Sequence, residues 1–170
     1  MSAADPAART SRRYRDGTLV LETSFATAAG EATLVDFMPV RGAQSDLVRT
    51  VVGRRGRVAM EMELVLRFDY GASVPWVTKF ADGKGIRAIS GPDKVVLCAP
   101  VPLDNRDMKT RARFEVEAGQ TLSFVLTHGP SHLEIPPPVD PSRALGETER
   151  YWRAWAGRCS VTGRWSADVR

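Results

Sequence analysis

Residues 57–69, RVAMEMELVLRFD, decide the fold class. Val58, Met60, Met62, Leu64, Leu66 and Phe68 recur at every second position, while Glu61, Glu63 and Arg67 fall between them. A helix turns about 100° per residue and would scatter those side chains around its circumference, whereas a strand lines them along one face. Met, Glu and Leu individually favour helix, but that preference is weak and the alternation outweighs it. The segment therefore reads as a strand with one face against a core.

The same logic extends in both directions. Upstream, residues 47–52 form a second short strand, and residues 18–27 (TLVLETSFAT) and 31–38 (EATLVDFM) form two more, joined at Ala29-Gly30 and closed by Pro39. Asp16-Gly17 precedes them, a dipeptide that marks a tight hairpin because both turn positions tolerate positive φ. Downstream, strands are expected at 74–80, 86–90, 94–99, 111–117 and 120–127. Between them lie Asp82-Gly83, Gly91-Pro92-Asp93, the loop 102–107 and Ala118-Gly119. Short strands with such regular turn signals indicate an antiparallel sandwich or barrel rather than a βαβ array. Residues 1–12 are small and polar without a period and read as a disordered tail, which sets the β domain at 13–135.

The pattern changes at residue 136. Pro136-Pro137-Pro138 is a stiff extended segment. Asp140-Pro141 supplies an N-cap acceptor followed by proline at the first helical position, so a helix is expected over 142–156 with Gly157 as its stop. Leu145, Trp152 and Trp155 share one stripe of that helix, flanked by Tyr151. A single helix is not a domain, so the stripe has to cover the sandwich, a partner, or a second copy of the chain. Residues 136–170 thus read as linker, helix and the start of something further.

Composition sets the remaining bounds. At 170 residues and 43% hydrophobic content the chain builds a core without metals or disulfides. Its apolar runs fall far short of the roughly 20 residues that cross a bilayer, and its N-terminus lacks a secretory apolar region, so no membrane association is expected. A cytoplasmic location follows, with Cys98 and Cys159 as free thiols. The net charge of +4 comes mostly from scattered arginines, and the clusters Arg12-Arg13-Tyr14-Arg15 and Arg54-Arg55-Gly56-Arg57 read as solvated strand ends. Without a basic face carrying interleaved aromatics, a nucleic-acid partner is not expected.

No catalytic constellation assembles. His128 and His132 are the only histidines, and a zinc site needs three or four ligands. Cys98 has no motif around it, no serine occupies a nucleophile elbow, and Gly83-Lys84-Gly85 lacks the frame of a phosphate loop. Asp36, Asp69, Glu147 and Glu149 are candidate carboxylates for glycoside chemistry, but surface charge is the commoner role. Trp76, with Tyr70 nearby in sequence, is a possible sugar-stacking platform, although a tryptophan in an alternating strand more often belongs to the core. No catalytic, cofactor or metal residue is assigned.

Several stretches taken in order resemble a known family: RRYRDGTLVLETSF at 12–25, TLVDFMPVR at 33–41, DLVRTVVGRRGRVAMEMELVLRFDYG at 46–71, VPWV at 74–77, RYWRAWAGRC at 150–159, and RW at 164–165. They are similar to the N-terminal region of bacterial glycoside hydrolase family 15 proteins, the trehalase and glucoamylase group. The resemblance implies an antiparallel β-super-sandwich, one C-terminal linker helix, and then a catalytic (α/α)6 barrel that hydrolyses α-glucosidic bonds with inversion. The family's two catalytic glutamates belong to that barrel, whose first helix would begin near Trp165, so no catalytic role transfers to a residue here. The expectation is a non-catalytic accessory domain partnered with a barrel in cis or trans, possible self-association, and no cofactor. Tyr70, Trp76, Leu145, Trp152 and Trp155 are the candidates for sugar or interdomain contact. The alternative is a stand-alone carbohydrate-binding sandwich that takes glucosides.

Overall fold

The computed structural model describes residues 1–40, 42, 44–134 and 137–164. Among them the strands are β1 (Ser2–Ala3), β2 (Arg9–Tyr14), β3 (Leu21–Ala26), β4 (Gly30–Phe37), β5 (Ser45–Leu64), β6 (Trp76–Lys79), β7 (Gly85–Ser90), β8 (Asp93–Cys98), β9 (Asp104–Arg106), β10 (Lys109–Glu117) and β11 (Thr121–Pro130). One helix, α1 (Pro141–Ala156), follows. The architecture is mainly antiparallel β with a single helix near the C-terminus, as the alternation predicts.

The sequence reads 47–52 and 57–69 as two strands; the structure joins them as β5. Its first part pairs with β4 on one side and β11 on the other, within a large sheet ordered β2-β3-β4-β5-β11-β8-β7-β6. From Arg57 onward it pairs instead with β10 and β1, in a second, smaller sheet that also holds β9. The corner is made by glycine. A Cβ at Gly53 would lie 1.9 Å from the Glu117 carbonyl oxygen, and one at Gly56, whose φ is +59°, would lie 2.1 Å from that of Ala29. Only residues without side chains let the two neighbouring hairpin turns approach so closely.

The core lies between the sheets. Val58, Met60 and Met62, the alternating set of 57–69, are buried there with Phe25, Leu34, Val51, Ile86, Leu97 and Phe124. The alternation persists past the end of β5, where Leu66 packs against this cluster. A second cluster of Val20, Val35, Phe37, Val48 and Val125 occupies the outer face of the large sheet, beneath Ala144 and Leu145 of α1.

The expected tail over 1–12 is corrected. Ser2 and Ala3 pair with Glu61 and Met60, the Ala4 N–H donates to the Ala59 carbonyl at 2.8 Å, and Arg9–Tyr14 forms the outermost strand of the large sheet against β3. Strand β2 is exposed along its whole length, so it has no apolar face to announce itself. Backbone pairing and ion pairs from Arg13 and Arg15 to Glu22 hold it instead. The second basic cluster is likewise engaged across strands: Arg55 pairs with Glu31 at 3.2 Å, and Arg57 with Glu115 and Glu117.

Helix α1 begins as its sequence dictates. The Asp140 carboxylate accepts from the backbone N–H groups of Ser142 and Arg143, satisfying two of the donors that a helix N-terminus leaves free. Gly157 ends it in a right-handed conformation, its N–H donating to the Arg153 carbonyl. Pro136 and Trp165, the expected linker start and barrel start, lie outside the described residues.

Candidate functional site

The residues singled out in the sequence fall into two places. Leu145, Trp152 and Trp155 lie on α1, over the β3, β4, β5 and β11 part of the large sheet. Tyr70 and Trp76 lie in and just after a turn at Asp69–Gly71 that leads to β6, the opposite edge of that sheet.

At the helix, small residues make the closest contact. Ala144, Thr148 and Ala156 are buried, and Leu145 packs beside them on the second cluster. Trp155 shares the face of Ala144 and Thr148 by helical geometry, yet it is 54% exposed, because the cluster beneath the helix does not reach its last turn. Trp155 and the half-buried Trp152 stack edge to face, as do Trp152 and the exposed Tyr151, with ring centroids 5.8 and 5.2 Å apart. The expected stripe is therefore divided: its N-terminal part seals the sandwich, and its C-terminal part presents an aromatic ladder to solvent.

A partly buried charge cluster fastens this helix. Arg15, on the β2–β3 hairpin, donates to Glu22 at 2.9 Å and also to Glu149 of α1. Glu149 accepts a further ion pair from Arg153 at 3.0 Å, and Arg13 pairs with Glu22 at 2.7 Å. Burial works against ionisation of both glutamates. The hydrogen bonds outweigh it, from Arg15 and Arg13 at Glu22 and from Arg15 and Arg153 at Glu149, and hold both carboxyls below the usual range. These five charged groups join hairpin to helix and are not arranged around a cavity for chemistry.

The other candidates also have structural partners. Asp36 forms a two-point pair with Arg49, at 2.9 and 3.1 Å, across the β4–β5 ladder. Glu147 accepts from Arg143 at 2.8 Å one turn away. His128 pairs with Asp93 at 3.0 Å. Cys98 and Cys159 are free thiols, and burial, reinforced by Asp82, pushes the Cys98 thiol up, away from thiolate reactivity.

At the β6 edge the residues are held out rather than in. Asp69 and Tyr70 both adopt left-handed backbone, at φ 50° and 51°, and the Tyr70 side chain is fully exposed. Ser73 returns the chain to the sheet, its backbone bridging to Phe68 and its hydroxyl sharing a 2.5 Å hydrogen bond with Ser90. Trp76 then stands 78% exposed, against the reading that would place it in the core. Only the register explains this: its neighbour Val77 turns toward Leu64 and Leu66, and Trp76 takes the outer face opposite Ile89. Beside Ile89 on that face is a cavity bordered by Arg87, Lys94, His132 and Glu134. Sequence reasoning does not bring Arg87, Lys94 and Glu134 together, since they lie on β7, β8 and a loop after β11, and nothing local marks them as neighbours of Trp76.

A family model matches the sequence that forms these two antiparallel sheets and the helix. That model, described as trehalase-like, N-terminal, covers residues 1–152. The chain belongs to this trehalase-like N-terminal family. Its match begins at residue 1, so β1 and β2 are part of the family's domain and not an appendage. No curated protein matches the sequence. Among solved structures, a putative kojibiose phosphorylase from human microbiome aligns with a TM-score of 0.44 and 10% identity, over 96% of this chain and 24% of that one. The chain thus spans about a quarter of that protein's length. Among the described residues no helix is long and apolar enough to cross a membrane.

Proposed function

We propose that the chain is the non-catalytic accessory domain of a trehalase- or glucoamylase-like glycoside hydrolase of family 15, working against a catalytic (α/α)6 barrel in cis or trans. The observation that carries this reading is the trehalase-like N-terminal match over residues 1–152. The helix supports it: the Tyr151, Trp152 and Trp155 ladder is rigidly placed by the Arg15–Glu149 pair yet left partly uncovered, as a contact surface for a neighbouring domain would be. Hydrolysis of an α-glucosidic bond in trehalose or a glucan would belong to the barrel, and the free thiols suit a reducing cytoplasm.

The test has two parts. The purified chain at high concentration is incubated with trehalose and with a maltooligosaccharide, and no glucose release is expected. It is then mixed with a family 15 barrel stripped of its own N-terminal domain. Complex formation on size-exclusion chromatography and a raised unfolding midpoint of the barrel are expected, and both weaken in a Tyr151→Ala/Trp155→Ala variant. Glucose release that follows the chain through purification would overturn the reading.

A further inference from the structure

The β6 edge carries a second inference, independent of any catalytic partner. Trp76 is the largest exposed side chain on the outer face of the large sheet there, at 78% exposure, and it stands directly opposite Ile89 in the β6–β7 register. Ile89 borders the cavity that Arg87, Lys94, His132 and Glu134 share. One exposed tryptophan is therefore the cross-strand neighbour of a residue that borders a polar basin.

The basin is built from fixed parts. Lys94 is a central-strand residue, paired through its backbone with both Gly129 and Ile89, and it is 6% exposed. Its ammonium donates to the Leu133 carbonyl, which among the described residues leaves two of its three N–H donors for another acceptor. The loop that forms the far wall is tied to the β7–β8 turn: Ser131 donates from its backbone to the Pro92 carbonyl at 2.7 Å and from its hydroxyl to the Gly91 carbonyl at 2.9 Å. Lys94 lines the basin, so a ligand seated there can accept from it.

The chemistry of the rim selects a ligand class. Arg87 and Lys94 donate and Glu134 accepts, and a hydroxyl group does both. A simple anion would gain from the two cations but would meet the Glu134 carboxylate in the same basin. A pyranose ring has one apolar face of C–H groups, which an indole stacks, and an equatorial belt of hydroxyls, which charged side chains chelate. We propose that this edge is a carbohydrate site, with Trp76 stacking a neutral pyranose and Arg87, Lys94 and Glu134 hydrogen-bonding its hydroxyls.

Saturation-transfer NMR on the intact chain tests it, with trehalose and maltotriose as the probes. Transfer to ring protons with millimolar affinity is expected for at least one of them. Trp76→Ala should weaken binding about tenfold and Arg87→Ala about threefold, the scale of one lost stacking or hydrogen-bonding contact. Both residues are exposed, so circular dichroism should show both variants folded. Trp155→Ala, at the other end of the sheet, should leave binding unchanged. Absence of transfer from both sugars would overturn the proposal, as would transfer that survives Trp76→Ala. Displacement of the sugar by equimolar inorganic phosphate would overturn the neutral-ligand assignment. None of these readings involves a barrel, so their failure is separate from failure of the accessory-domain reading.

Discussion

The outer face of the large sheet is treated in opposite ways at its two ends. Over β3, β4, β5 and β11 it lies under helix α1, where Val20, Val35, Phe37, Val48 and Val125 are buried and the charges around them are paired in a closed set. At β6 and β7 the same face carries an exposed tryptophan, an adjoining basin and a lysine with spare donors. The backbone is as regular at one end as at the other. What differs is cover: the chain supplies a helix for one half of the face and only a short loop for the other. Residues at the covered end are expected to matter for stability, and residues at the open end for recognition.

The contrast is broken most sharply by Phe37→Ala, which empties the covered cluster. It should cost about 3–5 kcal/mol in urea unfolding and release the helix, whereas a small loss would mean that α1 is not the lid it is drawn to be. Next comes Glu22→Ala, which removes the carboxylate that Arg13 and Arg15 share. A loss of about 2 kcal/mol is expected, because two guanidinium groups lose a partner at a partly buried site.

The same pair of glutamates gives a pH signature. Their folded-state pKa values lie below the ordinary 4.5, so the stability they contribute is complete above that value and is lost as pH falls through the depressed ones. The unfolding midpoint should hold from neutrality to about pH 5 and decline beneath it. In Glu22→Gln the decline should be shallower, and an unchanged slope would locate acid sensitivity elsewhere.

Thr148→Val sharpens the picture in the other direction. Among the described residues the buried Thr148 hydroxyl has no hydrogen-bond partner, so replacing it with a methyl of the same shape should raise stability by about 1 kcal/mol. The smallest effect is expected at the open end. Trp76→Ala should change the unfolding free energy by no more than about 0.5 kcal/mol, even as sugar binding falls. A large destabilisation by that variant would erase the distinction between the two ends.

The stretch 57–69 carried its own fold class because alternation is local: every second residue faces a core wherever that core comes from. The helix was equally legible, since Asp140 and Pro141 act on backbone groups within one turn of themselves. Strand β2 was not, because an edge strand exposed on both faces has no pattern, and its partner β3 lies across a turn. Strand β5 reads as two pieces because the basic cluster Arg54-Arg55-Gly56-Arg57 has the character of solvated strand ends. The contacts that keep the chain extended there come from residues 29 and 117, remote in sequence.

The same division holds for the sites. Sequence alone determined that the chain is mainly antiparallel β, that one capped helix follows the strands, and that tryptophans stand at 76, 152 and 155. Only the tertiary structure decided that Trp155 overhangs the cluster under the helix, that Arg15 bridges two glutamates 127 positions apart in the chain, and that Trp76 stands opposite Ile89, which borders a basin built from β7, β8 and the loop after β11. Exposure and neighbourhood depend on which strands pair and in what register. Those are properties of contacts between distant residues, and no window along the chain contains them.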